Sequence, residues 1–458
     1  MVFTSPTFLF IFLPLVLAAF WLTPPRRRTL MLVVASWLFY AWGQQQLVVL
    51  LALSAGINWA LAIVLDRADA ARRRRTLLAA GVVVNIGALV YFKYTDFLFE
   101  TVNALLARAG RAPVAHTPVY LPLAISFVTF EAVSYLMDVY RRHTAASRSP
   151  VHVAFYLSFF PHLIAGPILR FDDIAAALPR PTVALADFDR GVARFINGLG
   201  KKMLLANTLG RVVDQVFALP PGDLGTAAAW LGIVCYALQI YFDFSGYSDM
   251  AIGMGHMLGF TLPENFRLPY AADSIRDFWR RWHITLSSWF RDYLFIPLGG
   301  SRHGRARTAR NLLLVFFLCG LWHGANRRFI VWGLFHGIFL VLERTRFGAA
   351  LERVPLIVRR AYAFVVVLAG WVFFRAETFH LALRYLKAMA GFGAAVPVPA
   401  RFYLTPEIVL ALAVGLLLAM VPLTVRRVPA LVTQTTVLAL SLLYVAVGTY
   451  NPFIYFRF

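Results

Sequence analysis

At 458 residues, 60% hydrophobic and 14% charged, the chain carries too little charge to coat a soluble globule of its size. A mean hydropathy of +0.68 places it among integral membrane proteins. Its 44 Lys and Arg against 22 Asp and Glu give a net +22. The arginines fall in short clusters between apolar runs, the arrangement of cytoplasmic loops, which excludes a nucleic-acid partner.

A spanning helix takes about 20 apolar residues. Residues 8–22 form the first such run; no positive region precedes it and Arg26, Arg27 and Arg28 follow it, so it reads as a retained first helix rather than a cleaved signal. Residues 30–42 and 47–65 make a hairpin ending at Arg67 and Arg72 to Arg75. Residues 77–94 lead out again, and 121–140 return to Arg141 and Arg142. Arginines at every second boundary put these loops in the cytoplasm and the N-terminus outside.

Residues 151–169 are apolar but interrupted by Pro161 and the pair Gly166-Pro167, which suits a re-entrant segment packed in protein. Residues 227–242 form a clear span. The stretch 265–301 carries Arg276, Asp277, Arg280, Arg281, Arg291 and Asp292. A charge near the bilayer centre costs roughly 2.5–3.5 kcal/mol, so this stretch does not cross lipid. Trp282, Leu286, Trp289 and Tyr293 recur at helical spacing opposite the arginines, predicting an interfacial helix or the wall of a funnel.

Two short apolar runs follow, 312–322 and 329–342, separated by His323 to Arg328. If the first rises from the basic loop 302–310, His323 lies roughly 20 Å along it, past the middle of a core about 30 Å thick. Short helices ending at depth imply a cavity. Spans near 363–374, 408–421 and 431–447 complete the chain, which shows no internal repeat and no separable soluble domain.

Among the ten histidines, His323 stands out in Cys-Gly-Leu-Trp-His-Gly-Ala, with flanking glycine and no carboxylate nearby in sequence. A histidine buried away from anions stays neutral, the form a general base needs, and the glycine lets a substrate approach. A packing role remains the alternative. His283, in Trp-Arg-Arg-Trp-His, is the second candidate: Arg280 and Arg281 beside it suit the phosphates of a nucleotide-bearing donor, and equally suit anionic lipid head groups. Cys319 precedes His323 by one helical turn and is either a nucleophile or a small packing residue. Asp243 and Asp249 read as intramembrane functional carboxylates or as helix-end caps. The only two cysteines, Cys235 and Cys319, lie in apolar runs and can form neither a disulfide framework nor a thiolate metal site. No His-Glu-x-x-His, Walker loop or Gly-x-Ser-x-Gly elbow occurs, so no metal is expected.

The motifs Arg276-Asp277-Phe278-Trp279-Arg280-Arg281-Trp282-His283, Tyr293-Leu294-Phe295-Ile296-Pro297-Leu298-Gly299-Gly300 and Gly320-Leu321-Trp322-His323-Gly324 resemble those of the membrane-bound O-acyltransferases. The opening Met1-Val2-Phe3 with Phe8-Leu9-Phe10, the segment Gln239 to Asp249, Phe373-Phe374-Arg375-Ala376 and the ending Asn451 to Phe456 are similar to the bacterial alginate O-acetyltransferase branch and its peptidoglycan-acting relatives. The resemblance covers nearly the whole chain. It implies an all-α polytopic fold of about 11 transmembrane helices, with re-entrant and interfacial helices around a central tunnel. N-terminal helices would occupy 1–145, a catalytic core 146–345 and C-terminal helices 346–458 of a single domain. It further implies His323 as the catalytic base with His283 as second motif histidine, and Arg280, Arg281, Trp282, Trp322 and Asn326 as donor-binding residues. Acetyl-CoA would be the donor, with no bound cofactor. A periplasmic partner protein would accept the acetyl group and pass it to a polysaccharide, since no appended hydrolase-like domain is evident. The setting would be a bacterial inner membrane with the N-terminus periplasmic. The alternatives are D-alanyl transfer from a carrier protein, a transporter or flippase, for which paired interrupted helices are missing, and an inert scaffold of a secretion complex.

Overall fold

The computed structural model describes residues 1–220, 222–395, 397–421, 430–448 and 450; the ending motif 451–456 lies outside them. Among the described residues the regular structure is helical, with no strand. The contacts divide the chain into two compact units: residues 1–192 with 251–263, and residues 193–250 with 264–458.

The first unit contains α1 (Leu13–Leu22), α2 (Arg28–Gln44), α3 (Val48–Arg67), α4 (Ala71–Arg108), α5 (Ile125–Arg141), α6 (Pro150–Ser158), α7 (Phe160–Leu163) and α8 (Phe171–Ile174). α4 outlasts the expected run 77–94 because its arginines continue the helix. The buried Arg74 guanidinium donates to the carbonyls of Leu65, Ala68, Val139 and Tyr140 at 2.7–3.3 Å. One cation thereby satisfies the orphan carbonyls closing α3 and α5. Inside the same unit Asn58 and Asn85 exchange amide hydrogen bonds of 3.1 and 2.8 Å between α3 and α4.

Residues 151–169 are broken, as their prolines predict: α6 stops at Ser158, α7 lasts four residues, and the chain then runs on without regular structure. The break is held by a buried pair, His162 Nδ1 at 3.1 Å from Glu131 Oε1. The Leu169 amide donates to the same carboxylate at 3.1 Å.

α9 (Leu185–Gly200) and α11 (Thr226–Met257) contribute to both units, and a π-helical turn, Lys201–Ala206, joins α9 to α10 (Asn207–Phe217). The 185–217 run does not stand out in the sequence because its charges suppress hydropathy. Those charges are paired: Lys202 Nζ lies 2.6 Å from Asp243 Oδ1, with both side chains almost fully buried, and Asp249 meets Lys201 at 2.6 Å and Arg194 at 2.7 Å. Asp243 and Asp249 therefore sit inside α11 as ion-pair partners and cap no helix end. Gly198 on α9 faces the Gly246 carbonyl on α11, and an added Cβ at either glycine would overlap the other backbone.

The second unit continues with α12 (Ile275–Arg281), α13 (Ile284–Phe290), α14 (Arg305–His323), α15 (Arg327–Leu342), α16 (Arg346–Leu351), α17 (Leu356–Arg375), α18 (Phe379–Met389), α19 (Pro406–Met420) and α20 (Ala430–Val447). Trp282, Leu286, Trp289 and Tyr293 are buried while Arg276, Arg280 and Arg291 are exposed, so the aromatic face lies inward. That face is carried by two short helices and a further π-helical turn, Arg291–Phe295, rather than one continuous helix. The break falls at His283, whose φ of 42° and ψ of 56° leave the right-handed region. α14 and α15 form a tight hairpin in which Gly320 faces the Phe329 carbonyl and Gly333 the Phe316 carbonyl.

Among the described residues four helices are long and apolar enough to cross a membrane: Val48–Arg67, Ala71–Arg108, Thr226–Met257 and Leu356–Arg375. Shorter apolar helices occupy Phe8–Leu22, Pro406–Met420 and Leu431–Val447. This is a multi-pass membrane protein.

Candidate active site

The last turn of α14 sets the chemistry of His323. Its Nδ1 lies 2.7 Å from the Cys319 carbonyl oxygen. A carbonyl can only accept, so Nδ1 carries the proton and Nε2 carries the lone pair. The ring is held by edge-on contacts with Trp322 (4.9 Å), Trp332 (4.7 Å) and Phe374 (5.6 Å), centroid to centroid. It is 4% exposed. Cys319 Sγ is 3.8 Å from Nδ1, the nitrogen already donating to the carbonyl. That nitrogen cannot take the thiol proton, so this geometry does not activate Cys319 as a nucleophile.

His283 is fully buried at the start of α13. Its Nδ1 lies 3.0 Å from Asn265 Oδ1, and its ring meets Phe244 edge-on at 4.7 Å. Trp322 stands 6.1 Å from it, ring to ring, so one indole contacts both histidines. Burial, with a smaller contribution from the His323 imidazole, holds His283 well below the ordinary histidine value, leaving it neutral.

A cavity of about 360 Å³ opens within this unit. Its rim carries Arg276, Arg280, Arg291 and Arg344, and its wall includes Trp279, Phe316 and Cys319, the residue that accepts the His323 hydrogen bond. Glu343, just past α15, also lines it and accepts from the Ile275 and Arg276 amides at 2.6 and 3.0 Å, fastening the start of α12 to the hairpin base. Burial raises the Glu343 carboxyl, and those amides oppose the rise.

A second cavity, about 740 Å³, lies at the other end of α17. Asp214, Phe217, Arg375, Ala376, Arg384 and Tyr385 are among its lining residues. Arg375 pairs with Asp214 at 2.7 Å, and Phe217 stacks on Tyr385 at 4.3 Å. Ala376 accepts from Arg328 at the tip of the α14–α15 hairpin, and Phe374, two residues earlier, touches the His323 ring. Cys319 in the first wall thus touches His323 directly, while the second wall connects to it through Phe374, the chain neighbour of Arg375.

Of the residues expected to bind a donor, Arg280 lines the first cavity and Trp322 stands between the histidines. Arg281 is ion-paired with Asp277 at 2.8 Å. Trp282 packs against Trp371 at 4.9 Å within the aromatic core. Asn326 is exposed and accepts from the Arg328 amide as the N-cap of α15. Arg276 and Arg291 were expected only as charges of the interfacial or funnel-lining stretch, and Arg344 carried no expectation. Asn265 went unremarked, and its only signal is its place in Pro-Glu-Asn-Phe.

Residues 117–374 match the membrane-bound O-acyltransferase family. The chain belongs to that family. The acyltransferase is 47% identical over 399 residues to the probable alginate O-acetylase of Azotobacter vinelandii, covering 86% of this chain and 79% of that protein. It is 35% identical over 426 residues to the peptidoglycan O-acetyltransferase of Helicobacter pylori, covering 85% and 80%. It is also 30% identical over 232 residues to the teichoic acid D-alanyltransferase of Bacillus subtilis, covering 48% and 58%.

Proposed function

We propose that this acyltransferase moves an acetyl group from cytoplasmic acetyl-CoA, through the membrane, to a hydroxyl on the periplasmic side, with His323 as general base. The observation that carries the reading is the tautomer of His323: Nδ1–H is spent on the Cys319 carbonyl, so Nε2 is the basic nitrogen. The arginine-rimmed cavity that reaches Cys319 takes the donor, with Arg276, Arg280 and Arg291 toward its phosphates. The second cavity admits the acceptor from the opposite end.

In the reaction, Nε2 removes the acceptor O–H proton as the oxygen attacks the thioester carbonyl. The C–S bond then breaks, and the thiolate takes the proton from the imidazolium to leave as free CoA. Transfer is direct, with no acyl-enzyme. The acceptor hydroxyl belongs to a periplasmic partner protein that serves a polysaccharide such as alginate or peptidoglycan, the polymers named for two of the relatives. The whole chain acts as one catalytic unit in a bacterial inner membrane, with its N-terminus periplasmic.

Purified protein in liposomes, given acetyl-labelled acetyl-CoA with periplasmic extract, should release CoA and label an extract protein or polymer. No CoA release with acetyl-CoA, alongside turnover of a D-alanyl carrier protein, would replace the donor. Uptake of an intact solute without CoA release would point to transport.

A further inference from the structure

Asn265 lies 18 residues before His283, outside any helix, yet it is 1% exposed and its amide is used on both sides. Its Oδ1 receives the Thr285 amide at 3.4 Å, the Thr285 hydroxyl at 3.0 Å and His283 Nδ1 at 3.0 Å. Its Nδ2 donates to Ser248 Oγ on α11 at 3.3 Å. A backbone N–H can only donate, so the atom facing Thr285 is the amide oxygen, and the nitrogen His283 presents to it must be protonated. The opposite nitrogen, His283 Nε2, is buried and has no hydrogen-bond partner among the described residues. A backbone crossing holds the arrangement: Ile284 N donates to Asn265 O at 3.0 Å and Arg267 N to Arg281 O at 3.0 Å.

We propose that Asn265 is a positioning residue for the acyl-transfer site: it fixes His283 as the Nδ1–H tautomer and so presents Nε2 as a hydrogen-bond acceptor to the reacting groups. The inference rests on reading this site as an acyl-transfer centre. An isolated imidazole prefers its proton on Nε2, which would make His283 a donor at that position. A buried acceptor with no protein partner costs free energy unless a ligand donor supplies one. An acceptor hydroxyl or an amide N–H of the donor's pantetheine arm has the right chemistry. The groups around His283 leave the amide in control. α14 presents His323 behind Trp322, and α11 presents Phe244 and Ser248. Arg281 is neutralised by Asp277, and Glu264 by Arg194.

The test uses full-length protein labelled with ¹⁵N-histidine in detergent, with His283→Gln assigning the His283 signals. Wild type should show Nδ1 protonated and Nε2 bare. Asn265→Leu should move the proton to Nε2 and lower the turnover of CoA release about 100-fold, with the KM for acetyl-CoA within about threefold. Asn265→Asp keeps the acceptor and places an anion against the ring. It should retain the tautomer while raising the His283 titration, and the acid limb of activity, by about 1 pH unit or more. An unchanged ring spectrum in a monodisperse Asn265→Leu protein would overturn the proposal. Should that variant fail to fold, an unmoved His283 titration in Asn265→Asp overturns it instead. Wild type that releases no CoA defeats the acetyl-CoA reading, while the ring spectra still decide the role of Asn265.

Discussion

Gly333→Ala should cripple transfer without touching a reacting group. At Gly333 an added Cβ would overlap the Phe316 carbonyl oxygen and stand 3.1 Å from the Gly320 Cα. Both neighbours are backbone of α14 and cannot swing aside. Restoring ordinary separations of about 3.5 Å requires the hairpin to part by more than about 1 Å. Overpacking of this kind costs about 1–3 kcal/mol of stability. The larger effect falls on His323, one turn beyond Gly320 on the displaced helix, because a 1 Å misplacement of a catalytic group lowers rates about 100-fold. Gly56→Ala serves as control, since its Cβ meets nothing within 4 Å. Detergent-purified variants would be compared for CoA release and thermal melting. A Gly333→Ala protein that turns over as fast as wild type would refute the claim that hairpin contact places the histidine.

Arg280→Glu and Arg291→Glu should each raise the KM for acetyl-CoA by about 10-fold or more, the loss of a charge-assisted phosphate contact, while leaving turnover at saturation nearly unchanged. Lys202→Met removes the buried cation 2.6 Å from Asp243, a loss of about 3–5 kcal/mol, and should lower the melting temperature sharply. Adding Asp243→Leu should recover most of it, and failure to recover would mean that the lysine itself is needed. Cys319→Ala should keep most of its activity, because the imidazole nitrogen beside the sulfur is already protonated. Loss of activity in a folded Cys319→Ala protein would revive a covalent thioester.

Much of the α14–α15 hairpin was legible because its signal is local. Two short apolar runs meet at a glycine-flanked histidine, and the i, i+4 spacing of Cys319 and His323 already places one under the other. The broken 151–169 segment was legible for the same reason, since Pro161 and Pro167 act within their own turn. The α9–α10 run was not, because Lys201, Lys202 and Arg194 count against a membrane helix until their acids on α11, some 40 or more residues away, are known. Asn265 was hidden by a backbone reversal: Leu268 and His283 both take left-handed conformations, with φ of 47° and 42°. Neither residue type announces that conformation, so no periodicity brings 265 beside 283. The expected single helix across 282–293 failed at the same point, because its apolar spacing is right while the chain breaks at His283.

The most direct test of the central claim compares CoA release by wild type and His323→Ala in liposomes supplied with labelled acetyl-CoA and periplasmic extract. A general base of this kind contributes about 100- to 10,000-fold, so the variant should fall by that factor while binding acetyl-CoA as wild type does. A folded His323→Ala protein that releases CoA and labels the acceptor at the wild-type rate would remove His323 from the chemistry and contradict the account.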